Sequence, residues 1–223
     1  MTWELLPVAG VGFLVGVRHA FEPDHLAAVT TLATRERGWG QAARLGVAWG
    51  AGHTLSVAVV ALILAGLHIR VPDRFHAVAE MGVATLLIAL GISTLWREAL
   101  RHRASLGVAH AAAHRKRHTH RHPAQERSAA RALAFGLAHG LAGSGAVMVV
   151  LVAATANLRD QMLYLGAFGL GTMTGMTGVS LLTGLVTGAV ARSNRNAVRS
   201  LRVGAALTST AVGLMLGWNT LHG

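Results

Sequence analysis

The sequence predicts an all-α, polytopic membrane protein: six transmembrane helices forming two inverted three-helix repeats, with the first helix interrupted at Pro23. Three observations lead there. Only 13% of the 223 residues are charged, against about a quarter in a soluble domain, and mean hydropathy is +0.48. Six apolar runs can be marked, at about 5–33, 42–66, 76–96, 130–154, 162–191 and 200–221. Sixteen Lys and Arg sit in the first, third and fifth loops, three in the second and fourth, and none at the termini. That bias places the odd loops in the cytoplasm and both termini outside a cytoplasmic (inner) membrane. It also accounts for the formal charge of +11 without invoking nucleic acid. Cysteine is absent, which excludes thiol redox chemistry, disulfides and thiolate metal sites. No basic region precedes the first apolar stretch, so no signal peptide is expected.

The first run carries Arg18-His19-Ala20-Phe21-Glu22-Pro23-Asp24-His25 in its interior. Neither apolar flank reaches the roughly 20 residues of a membrane-spanning helix, but joined they do, so the ionisable run lies at depth. Such groups cost roughly 2.5–3.5 kcal/mol each on insertion scales. Five together imply use. The second run holds an isolated imidazole in Gly52-His53-Thr54. The third begins with His76 and Glu80 on one helical face, read as interfacial.

Residues 97–130 form the one long polar segment, separating a first repeat (1–96) from a second (131–223). Its composition predicts a flexible cytoplasmic loop. Its histidines, His114, His118, His120 and His122 among them, read either as part of a solvated tether or as a labile gathering site for divalent metal. The fourth run contains Ala138-His139-Gly140-Leu141, and Gly16 to Phe21 aligns with Gly136 to Leu141 at an offset of 120 residues. Gly50-Ala51-Gly52-His53-Thr54 lies roughly over Gly169 to Thr174 in the fifth run. Three spans per half force the second copy to enter the membrane from the opposite side, as in many transporters.

A continuous helix would point His19 and His25 in directions about 240° apart. Pro23 removes that obstacle. It clashes with the preceding turn, lacks an N–H, and pushes Glu22 off helical angles. A break there brings His19, Asp24 and His25 together and sets a new helix N-terminus near Asp24. Two imidazoles and a carboxylate suit nickel, cobalt or zinc rather than calcium or magnesium. Next to that set, His53 is expected as a further ligand. His139, the counterpart of His19, either ligates or lines the path. Glu22 and Met173 are further candidates for the path, although methionine is more often a gap-filler. Arg18 stands one turn before Glu22 and either offsets its charge or snorkels to an interface.

The run Arg18 to His25 resembles the signature of the nickel/cobalt transporter family: a histidine, four residues, then Asp-His. Gly52-His53-Thr54 is similar to that family's second motif. Residues 137–145 are closer to the branch that includes urease-accessory membrane proteins and nickel/cobalt efflux systems. Two departures are visible: the signature helix comes first, and Glu22-Pro23 replaces the commoner Asp-Ala. The resemblance implies Ni²⁺ or Co²⁺ as transported substrate, with no prosthetic group, and His19, Asp24, His25 and His53 at the matching positions. Expected partners are the ion and membrane lipid, with a homo-oligomer and a cytoplasmic metallochaperone as further candidates. No Gly-x4-Gly-Lys-Ser/Thr loop is present for ATP coupling. The competing classes are an intramembrane metal-dependent enzyme and an exporter of another small solute. The first lacks a His-Glu-x-x-His motif, and the second lacks a reason for clustered imidazoles.

Overall fold

The computed structural model describes residues 5–36, 38–67, 73–108, 123–142 and 157–222. Among these residues every regular element is helical. They are α1 (Leu5–His19), α2 (Pro23–Ala33), α3 (Trp39–Leu67), α4 (Asp73–Val108), α5 (Pro123–Ala142), α6 (Leu158–Ser193) and α7 (Arg195–His222). Four helices are long and apolar enough to cross a membrane, over Trp39–Leu64, His76–Arg103, Arg159–Ser193 and Asn196–His222. α1 is apolar but shorter.

Two boundaries differ from the sequence reading. α4 continues to Val108 and α5 starts at Pro123, so helix covers both ends of the segment expected as a flexible loop at 97–130. Arg97 to Ala104 is built mostly of good helix formers, and Glu98 accepts from Arg101 at 2.7 Å one turn on. At about 1.5 Å per residue the 36-residue α4 is some 54 Å long, well beyond a hydrocarbon core of about 30 Å. The remainder of the fourth apolar run, from 143 to 154, lies outside the described residues, as do His114, His118, His120 and His122.

Small residues let the helices meet backbone to backbone. A Cβ at Gly16 would fall on the backbone of Phe168, and one at Gly171 on that of Phe13, so α1 lies directly on α6. α3 and α5 meet in the same way, Gly52 against Leu133 and Gly136 against Trp49. Between α4 and α7 the pairs are Gly91 with Ala206 and Gly213 with Ala84. In lipid, where apolar burial gives no net drive to helix association, such close packing and interhelical hydrogen bonds hold a bundle together. Here Thr172 donates to the Gly16 carbonyl (3.3 Å), Thr31 to that of Ala205 (2.9 Å) and Ser209 to that of Leu87 (3.0 Å). Trp49, Leu87 and Met176 are fully buried at the centre, beside Leu45 and Val29.

Candidate metal centre

The site starts from a turn. α1 ends at His19, and the chain tightens: the Phe21 N–H donates to Arg18 O and the Glu22 N–H to His19 O, both at 3.0 Å. Glu22 is extended (φ −61°, ψ 146°), and Pro23 opens α2 in the first-turn position where its missing N–H costs nothing. Asp24 occupies the first turn of α2, where the helix dipole favours a carboxylate. This geometry sets the His19 and His25 rings 4.4 Å apart, centroid to centroid.

α3 and α5 supply the rest. His53 brings its Nε2 to 3.3 Å from His19 Nε2, and its ring lies 5.0 Å from that of His25. The His139 ring lies 4.5 Å from His25 on another side. His19, His25, His53 and His139 are all buried. Their potential ligand atoms fall into two groups that share His25. His19, His25 and His53 form one and Asp24, His25 and His139 the other, with all ligand atoms in each group within 4.8 Å of one another. Asp24 therefore sits with His25 and His139 rather than in the all-imidazole group with His19.

Asp24 bridges two rings. Its Oδ1 accepts from His25 Nδ1 at 2.9 Å and its Oδ2 from His139 Nε2 at 3.0 Å. With Nδ1 donating, the lone pair of His25 is on Nε2, a buried atom without a hydrogen-bond partner among the described residues; His139 Nδ1 is in the same position. Leaving a buried polar atom unsatisfied costs about 1–3 kcal/mol, so such atoms call for an occupant. A carboxylate that fixes the tautomer of an imidazole is the usual second partner of a metal-binding histidine. Neutral imidazole nitrogens match nickel, cobalt, copper and zinc.

The other residues singled out in the sequence are placed as follows. Glu22 is half-exposed, with Oε2 3.0 Å from His19 Nδ1, and Arg18 is exposed on the outer side of the turn. Met173 packs against the backbone of Gly50 between α6 and α3. Two aromatic walls escaped the sequence reading: Phe168 lies 5.4 Å from the His19 ring and Trp49 5.7 Å from that of His139. One signal was available. Trp49 precedes His53 by four residues and so shares its helical face.

Long apolar helices around four buried imidazoles and a partly exposed carboxylate are the marks of a multi-pass membrane protein whose donor set suits a transition-metal ion. The family model described as NicO, high-affinity nickel-transport protein, matches residues 5–216. The urease accessory protein UreH of Bacillus sp. (strain TB-90) is 29% identical over 182 residues, covering 82% of this chain and 78% of that protein. No solved structure matches. The chain belongs to the high-affinity nickel-transport family. It is a transporter rather than an enzyme, and the nickel ion is its substrate rather than a resident cofactor.

Proposed function

We propose that Ni²⁺, and Co²⁺ as the alternative cargo, crosses the cytoplasmic membrane through this cluster. His19, His25 and His53 coordinate the ion. Asp24 holds His25 Nε2 towards it and joins His139 to the assembly. The observation that carries this reading is the meeting of three imidazoles from α1, α2 and α3, with a buried His25 Nε2 that no hydrogen bond claims among the described residues. Glu22, half-exposed and in contact with His19, forms the mouth of the path. Met173, on the face where α6 meets α3, lines its wall.

In this reading α1 and α2 make a single span broken at Pro23, and six spans form two inverted halves. Reciprocal contacts support the repeat. Gly16 on Phe168 corresponds to Gly136 on Trp49, and Gly171 on Phe13 to Gly52 on Leu133, each by shifts of 119 or 120 residues. The loop charges then put the α2–α3 and α4–α5 connections in the cytoplasm. The His-rich segment, at the latter, gathers ions or hands them to a metallochaperone.

The test is metal flux into proteoliposomes, run with each ion and with an imposed proton gradient. Reconstituted protein should move Ni²⁺, and His25→Ala should abolish that movement while still inserting. Undiminished flux in the variant would remove the cluster from the path.

A further inference from the structure

At the end of α2 away from the metal cluster lies a second polar assembly. A cavity of about 280 Å³ opens between α2, α4 and α5, lined by Arg35, Arg97, Arg101 and Arg131, with Glu36 as the one carboxylate among the described lining residues. Among the described residues the charges there are not balanced. Glu36 already accepts from the Ser128 hydroxyl. Glu98, behind the cavity, is shared between Arg101 at 2.7 Å and Arg202 at 3.5 Å. Arg35 donates to the Thr94 hydroxyl and, at 3.5 Å, to Leu90 O, while its Nε is buried without a partner among the described residues. Arg97 and Arg131 have no ion pair among the described residues. Burial, reinforced by the charges of Arg97, Arg101 and Arg131, pushes the Arg35 guanidinium down to about 10, so it remains a cation at neutral pH.

We infer that this pocket is an anion site that takes a phosphate group. Four guanidinium forks around one concavity match the several oxygens of a phosphate, which they can engage in pairs, better than they match a single-atom anion. Leu32, Leu45 and Ala132 add an apolar wall. Two sources carry that chemistry, the headgroup of an anionic phospholipid and a soluble phosphate. Basic pockets between transmembrane helices on the cytoplasmic side are known to hold anionic headgroups.

The experiment uses the full chain purified in detergent. Native mass spectrometry with phosphatidylglycerol and phosphatidylethanolamine reads the lipid arm, and the unfolding temperature of delipidated protein with added inorganic phosphate reads the soluble arm. Arg97→Gln combined with Arg131→Gln alters two exposed side chains and should weaken phosphate-group binding about tenfold or more, given the strength of hydrogen bonds to charged groups. Arg35→Lys keeps the charge and loses the fork, and should also weaken binding. Arg192→Gln, on the exposed end of α6, should not. Selective loss of phosphatidylglycerol supports the site with lipid as the source. Loss of the phosphate-induced shift without lipid preference supports it with soluble phosphate. Absence of binding in the unaltered protein, or equal binding in all variants, overturns it.

Discussion

His25 is pinned on one side and open on the other. Its Nδ1 is held by Asp24 and its buried Nε2 has no hydrogen-bond partner among the described residues, so the carboxylate decides which nitrogen carries the lone pair. Asp24→Asn should therefore lower Ni²⁺ affinity by roughly 10–100-fold, the usual effect of losing such an orienting partner, while leaving insertion intact. Isothermal titration of the purified variant measures this, and wild-type affinity would strip Asp24 of the role. The spacing of His19, Asp24 and His25 around Pro23 made these residues legible in the sequence as candidates. The division of labour between them was not. It depends on His53 and His139, which reach the cluster across 34 and 115 positions of sequence through helix packing that local spacing does not encode.

At the scale of elements, the separation of α1 from α2 and the glycine contacts carry the most weight. Pro23→Ala restores an N–H and lets the backbone run on as helix, which would rotate His25 away from His19. Flux should fall sharply while thermal stability holds or rises, and unchanged flux would show that the turn does not need its proline. Gly16→Val and Gly136→Val should each destabilise the detergent-solubilised protein by about 1–3 kcal/mol, because each new Cβ meets a neighbouring backbone. Gly10→Ala, with nothing within 4 Å of the added carbon, should not. Unfolding curves would separate the three. The sequence signalled close packing by its glycines. It did not reveal the helical ends of the segment at 97–130, because a basic, apolar-poor stretch reads as solvated. What extends it is continuation from α4 and pairing of Glu98 with Arg101 and Arg202.

For the whole molecule, the absence of cysteine from the sequence makes orientation directly measurable. Gly38→Cys, in the α2–α3 connection, should react with an impermeant maleimide only after cells are permeabilised, whereas Gly223→Cys should react in intact cells. The reverse pattern would invert the assignment of sides. The cluster draws His19, Asp24, His25 and His53 from α1, α2 and α3 and His139 from α5, so helices distant in the sequence assemble it.

The joint between α6 and α7 is one residue, Asn194. α6 lies against the ion cluster through Phe168 beside His19, while α7 reaches the far end of α2, where Arg202 Nε donates to Thr34 O at 2.9 Å. A linkage that short has no slack to absorb rotation. Through that single elbow the helix beside His19 and the helix that grips the end of α2 are placed as one piece, so lengthening the joint by inserted residues should loosen both ends together.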